Sequence, residues 1–324
     1  MSSINNKKFL LVGGAGFIGS HLGDTLLKQG AKEVVVIDNF FLGKRENLIF
    51  AQKNYKSAFT LYSQDACDQK ELSKIIENHR PDVVINLATK ALLHSFMDPA
   101  DAFRVNTDIT LNLLESLRLS QYERLVHIST SEVFGTALVV PMNEDHYRRP
   151  ETSYAAGKAS ADLAIESYIN MYNLNALILR PFNNYGPRQN TESLAAIIPK
   201  TVKRITQGLP PIIEGDGLQT RDFIYVEDTV NLILQFIEKK DLVEWEFNLG
   251  SGQETTIMEI IKGICNVMSY QGEILYHPER TADVRRHRAD VSRAELAIGK
   301  FNLTSLQEGL DKTINWYNQA LSES

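Results

Sequence analysis

The chain has 324 residues, with 34 Lys plus Arg against 40 Asp plus Glu and a formal net charge of -6. That length allows a sizeable core split into two lobes, and the acidic balance leaves no broad basic surface for a nucleic-acid backbone, so a polynucleotide partner is not expected. Two cysteines, Cys67 and Cys265, lie far apart in no metal-ligand spacing; reduced thiols and no metal site are expected. The start MSSINNKKFLLVGG carries an apolar stretch too short for a membrane span and runs directly into a glycine turn, which predicts a soluble cytoplasmic protein with no membrane partner.

From Lys8 to about Arg180, short runs rich in β-branched residues (FLLVG, EVVVID, FTLY, DVVINLA, RLVHIS, ALILR) alternate with segments of helical period. This βαβ rhythm predicts an α/β fold: a Rossmann-type doubly wound parallel sheet whose strands are apolar on both faces. Beyond Pro181 the rhythm loosens, and Pro187, Pro199, Pro210, Pro211, Gly208, Gly215 and Gly217 punctuate shorter elements. We therefore expect a Rossmann domain over 1–181 and a smaller C-terminal substrate-binding lobe over 182–324, interleaved with the last strands at about 222–248.

The first strand leads into GGAGFIGSHL, which sets Gly13, Gly16 and Gly19 between a strand and a helical segment, with Phe17 and Ile18 as further candidate cofactor contacts. In that setting Gly13 permits the tight turn, Gly16 lets a pyrophosphate approach the helix N-terminus and Gly19 allows close helix-to-strand packing. The second strand ends in Asp38, followed by Asn39, about 20 residues on, where an acid accepts hydrogen bonds from ribose hydroxyls and repels a 2′-phosphate. NAD is therefore expected over NADP, although Lys44 and Arg45 lie close by in the chain. Asp65 and Ala66 in SQDACD, with Leu87 and Ala88 in the strand end INLAT, are candidate further walls of the dinucleotide site.

The fifth strand runs into HISTSEVFG, placing Ser129, Thr130, Ser131 and Glu132 at a strand end, where open α/β sheets bind their ligands. Ser, Thr and Glu are also ordinary turn residues, so the stretch alone does not mark a site. Downstream, ETSYAAGKASAD sets Tyr154 and Lys158 one helical turn apart on one face. Tyr, Lys and a Ser or Thr together form a hydride-transfer site: an ammonium and a cationic nicotinamide favour the phenolate of a Tyr whose ordinary pKa is near 10. Tyr154 is then the base, and Thr130 shares the substrate oxygen.

Together with RPFNNYGPR, GDGLQTRDFIYVEDTV and the late DVRRHRAD segment, these motifs resemble the extended short-chain dehydrogenase/reductases acting on nucleotide sugars, over nearly the whole chain. Val12 stands where many members carry a Thr. The resemblance implies that Glu132 separates dehydratases and decarboxylases, which carry an acid there, from 4-epimerases, which typically lack it. Ser131 in the Thr130, Ser131, Glu132 triplet departs from the Thr, Asp, Glu of dTDP-glucose 4,6-dehydratases and is similar to dehydratases of UDP- and GDP-sugars in surface-glycan pathways, and to UDP-glucuronate decarboxylases. A UDP-N-acetylglucosamine 4,6-dehydratase is the leading expectation, with Glu132 as the C5 base and Glu132 or Ser131 assisting water loss. A 5,6-dehydratase, a decarboxylase, a 4-epimerase and a non-catalytic NAD-sensing scaffold are the alternatives. The resemblance further assigns Asn183, Arg221 and Arg285 to the substrate diphosphate, Pro211 and Ile213 to the base, and His94 or Ser95 to the sugar, an N-cap role being equal for Ser95. Finally, it implies a homodimer through the Tyr154 helix and the helix from Phe103 to Leu119, with apolar Ile109, Leu113, Leu114 and Leu117.

Overall fold

A computed structural model describes residues 4–192, 194–279 and 284–322 of the chain, so the first residue of the DVRRHRAD segment, Asp283, lies outside the described residues. The β-branched runs form β1 (Lys8–Val12), β2 (Glu33–Ile37), β3 (Phe59–Tyr62), β4 (Val83–Asn86), β5 (Arg124–Ile128) and β6 (Ala176–Pro181), each where the sequence places it. They pair in parallel, and a strand at Glu246–Leu249 joins beside β6 to make seven. From that edge strand across the sheet, the order is β6-β5-β4-β1-β2-β3. The order reverses between β1 and β4, the switch point at which doubly wound sheets open a ligand crevice beyond their strand ends.

Helices α1 (Phe17–Lys28), α2 (Ile49–Asn54), α3 (Gln69–His79), α4 (Pro99–Arg118) and α5 (Ser153–Tyr172) connect these strands. Alternate strand residues Leu10, Val12, Val35, Ile37, Val84, Leu125 and Ile178 share one core cluster with Ile75 and Ile76 of α3, Leu113 and Leu114 of α4 and Ile165 of α5. The intervening residues Phe9, Leu11, Val34, Val36, Val83, Ile85 and Val126 are buried as well, so both faces of the sheet are covered. Each such side chain contributes about 1.5–3 kcal/mol by leaving water. Ile109, Leu113, Leu114 and Leu117, expected at a subunit interface, belong to this same core cluster and so face the sheet.

The chain forms two compact units. The first comprises the residues up to Val133, Thr152–Arg180 and Val230–Phe247; the second comprises Phe134–Glu151, Pro181–Thr229 and the chain from Asn248 on. Phe134–Glu151 joins the second unit because His287 Nε2 lies 2.8 Å from the Gly135 carbonyl and Asn248 N–H donates to Glu144 Oε1 at 2.8 Å. Short strand pairs build that unit: Asn183–Tyr185 beside Phe223–Tyr225, Thr220–Arg221 beside Thr255–Thr256, and Ile212–Glu214 beside Leu275–His277. Both cysteines are free thiols, and no helix among the described residues is long and apolar enough to cross a membrane.

Candidate active site

At the switch point the turn after β1 presses against the segment after β4. Gly13 has φ +82°, and a Cβ there would lie 2.6 Å from the Ala88 nitrogen, so neither the conformation nor the space admits a side chain. Gly16 caps α1 without a side-chain hydrogen bond, which leaves the helix N-terminus, with Phe17 and Ile18 in its first turn, open to an anion. Asp38 lies just beyond β2 and is 7% exposed; it accepts N–H bonds from Ala15 in the glycine turn at 2.9 Å and from Phe40 at 2.8 Å. Burial raises its pKa against those two bonds. Asp65 accepts from Cys67 N–H and from the Asn39 amide, and Ala66 is buried beside it. Arg45, the neighbouring cation, stacks over Phe40 at 4.4 Å and donates to Ser63, which turns it to local partners. These features fit a dinucleotide with free ribose hydroxyls.

The hydroxyls of Thr130 and Thr89 hydrogen-bond the Tyr154 phenol. Desolvation pushes that phenol up to about 12, against those two bonds, and the nearby Glu132 carboxylate adds to the rise. Lys158, 2% exposed, donates to the carbonyls of Ile128 at 2.9 Å and Ala88 at 3.4 Å. Burial lowers it to about 8, and the charge of Asp162 opposes the fall. Thr130 and Ser131 are buried, while half-buried Glu132 opens the short helical turn Ser131–Phe134 with its N–H on the Thr130 hydroxyl. The first unit thus brings Thr130, Glu132, Tyr154 and Lys158 together, as the motif spacing anticipates. Thr89 belongs to the INLAT strand end expected to wall the dinucleotide, not to the set expected around Tyr154, and Asp162 was not anticipated; the one available signal for Asp162 was its place four residues beyond Lys158, on the same helical stripe.

Ser95 and His94 both have partners within the first unit. The Ser95 hydroxyl accepts the Tyr154 N–H at 2.8 Å, which satisfies an amide in the first turn of α5 beside the N-cap Thr152. His94 sits 3.0 Å from Asp101 and edge-on to Phe41. Lys90 lies 3.2 Å from the same Asp101 and over the same ring.

In the second unit, Asn183 presents a buried side-chain oxygen with no protein hydrogen bond. Arg221, 7% exposed, donates to the Thr220 carbonyl, and Arg285 makes a paired 2.9 Å contact with Asp216 at the surface. Pro211 and Ile213 are buried, and Ile213 packs against Ile261 and Cys265. The Ile213 side chain thus faces the core of the second unit, on a strand paired with Leu275–His277, which leaves the backbone of this segment as the part that could flank a base.

The family described as GDP-mannose 4,6 dehydratase matches residues 10–313. The chain is 33% identical over 310 residues to a UDP-glucose 4-epimerase of Mycolicibacterium smegmatis, covering 95% of this chain and 97% of that one. It is 32% identical to UDP-glucuronic acid decarboxylase 1 of Danio rerio, over 99% of this chain and 75% of that one. Among solved structures, the dTDP-glucose 4,6-dehydratase DesIV of Streptomyces venezuelae, with NAD and TYD bound, superposes with a TM-score of 0.90 at 27% identity, covering 98% of each chain. A family match spanning nearly all of the chain, on a sheet that reverses at β1 and β4, makes this chain a member of the GDP-mannose 4,6 dehydratase family of extended short-chain dehydrogenase/reductases.

Proposed function

We propose that, within the NAD-dependent nucleotide-sugar dehydratases and epimerases to which it belongs, this chain is a 4,6-dehydratase that converts a UDP-N-acetylhexosamine, UDP-N-acetylglucosamine in the first instance, to its 4-keto-6-deoxy derivative. The observation that carries this is Glu132: its carboxylate stands near enough to the Tyr154 phenol to raise its pKa, while two threonine hydroxyls hydrogen-bond that phenol. The site thus offers a candidate base for each of two protons, close enough for the charge of one to act on the other.

Bound NAD supplies the hydride acceptor for C4 and the hydride donor for C6. Tyr154 takes the C4 hydroxyl proton, with Thr130 holding the same oxygen and the Lys158 ammonium favouring the phenolate. The C5 proton, now α to a ketone, passes to Glu132, the C6 hydroxyl leaves as water with a proton from Glu132 or Ser131, and C5 regains a proton, the equivalent of the one taken by Tyr154, as C6 is reduced. The first unit is the cofactor-binding one in this assignment, and Asn183, Arg221 and Arg285 of the second hold the diphosphate, since guanidinium groups bind phosphate oxygens in pairs.

A 4-epimerase is the second reading, favoured by the similarity to the mycobacterial enzyme. Incubation with a panel of UDP-, GDP- and dTDP-sugars followed by mass analysis separates the possibilities. Loss of water supports the dehydratase, unchanged mass with an altered sugar the epimerase, and loss of carbon dioxide from UDP-glucuronate the decarboxylase. Location in the cytoplasm and a role in surface-polysaccharide synthesis belong to the same proposal.

The proposal extends to a homodimer through α4 and α5. Their core residues are used by the sheet, but Phe103 (42% exposed), Leu163 (53%) and Met171 (65%) leave an apolar outer face. Sedimentation at micromolar concentration should show twice the chain mass; a monomer there refutes this part.

A further inference from the structure

The strand end Ile128, Ser129, Thr130 is joined to α5 at each residue in turn. Lys158 Nζ donates to the Ile128 carbonyl at 2.9 Å, Ser129 Oγ donates to Asp162 Oδ2 at 2.9 Å, and the Tyr154 phenol is hydrogen-bonded to the Thr130 hydroxyl. Residues 154, 158 and 162 recur every fourth position, so one helical stripe makes all three links. Two of those side chains have places in the proposed chemistry. Asp162 has none.

Asp162 and Arg180 are both fully buried. Arg180 of β6 donates through Nε to Asp162 Oδ2 at 3.0 Å and through Nη2 to Glu246 Oε2 at 2.6 Å. His127 of β5 stands 3.8 Å from Asp162 Oδ1, and burial with the charges of Lys158 and Arg180 keeps its imidazole neutral. Buried ion pairs are weak sources of stability, since apolar residues of similar volume often replace them without loss, so anchoring alone is a poor reason for this charge. Its position, directly behind the two groups that move the first proton, supplies a better one.

We propose that Asp162 is a positioning residue which, through Ser129 and Lys158, holds the strand end against α5 and sets the pH range in which the Tyr154–Lys158 pair works. This rests on the assignment of that pair to hydride transfer. The charged and titratable groups around the pair are Glu132 on the turn after β5, His127 on β5, Arg180 on β6 and Glu246 on the edge strand, with Asp162 on α5 itself. The Asp162 carboxylate favours the ammonium of Lys158 and disfavours the phenolate of Tyr154. Removing its charge therefore lowers both proton affinities, and both limbs of a pH profile move toward acid.

The test uses full-length protein labelled with ¹³C-lysine, in which the Lys158 signal is identified by its loss in Lys158→Met. Its midpoint should lie at about 8 in the unmodified protein, fall by roughly one unit or more in Asp162→Asn, and return in Asp162→Glu. The optimum for turnover of a nucleotide sugar should shift to acid in parallel. Ser129→Ala keeps the charge and loses one link, so it should lower kcat about tenfold with KM and pH optimum unchanged, and it decides the positioning role if Asp162→Asn does not fold. An unchanged Lys158 midpoint in Asp162→Asn, or an unchanged kcat in Ser129→Ala, overturns the proposal. If the unmodified enzyme turns over no nucleotide sugar, the functional assignment fails instead, and the lysine titration still decides the role of Asp162.

Discussion

Lys158 in the first unit and Arg285 in the second are held in opposite ways. In the first, Lys158 and Asp162 are buried and Tyr154 is half-buried, and desolvation drives the lysine and the tyrosine away from their ordinary pKa values. In the second, Arg285 lies at the surface in a paired contact with Asp216, whose carboxyl that guanidinium holds down at about 2. A group that moves protons needs a fixed, dry setting that shifts its pKa. A group that grips a phosphate gains from a solvated ion pair, because such a pair is worth little and exchanges readily for a ligand oxygen.

The largest effects should come from the first unit's set. Glu132→Gln keeps the shape of the site but cannot accept a C5 proton, and Tyr154→Phe removes the base for the first step; each should lose about 10² to 10⁴ in rate. They should fail differently. Glu132→Gln with substrate should accumulate bound NADH, seen by absorbance, whereas Tyr154→Phe should not. An undiminished rate in Glu132→Gln reduces that carboxylate to a turn residue.

Lys158 offers a contrast between activity and stability. Its folded pKa of about 8 lies below the ordinary 10.5, so the stability it contributes is full above 10.5 and is lost as pH falls through 8. At pH 7 it therefore opposes folding. Lys158→Met should abolish turnover yet raise stability at pH 7 by on the order of 1–3 kcal/mol, with the gain vanishing above pH 10.5. Urea unfolding at the two pH values checks the sign, and equal gains at both contradict it.

Arg285→Ala should raise KM for the sugar nucleotide by about tenfold while leaving kcat nearly intact, the mark of a binding group. Smaller still, Asp216→Asn frees Arg285 from its competitor and should lower KM by no more than severalfold. If Arg285→Ala cuts kcat as deeply as Glu132→Gln does, the division between buried chemistry and surface grip fails.

How far the sequence reaches depends on the range of the forces involved. The six strands were legible because β-branched runs between helical periods need no distant partner, and the glycine turn because Gly13 answers to local backbone geometry and one close neighbour. Tyr154 and Lys158 were legible because a helix sets residues four apart on one face. The place of Phe134–Glu151 in the second unit was not, since His287 and Asn248, more than 100 residues away, hold it there. That the Ile213 side chain is in the core follows only from its packing on Ile261 and Cys265, and Ile109 and Leu113 read equally well as interface or core until the sheet covers them. Asp162 shows the same limit most sharply: its spacing from Lys158 is written in the chain, but its burial, and so the strength of its field on that lysine, exists only once Ser129 just after β5 and Arg180 of β6 pack on α5.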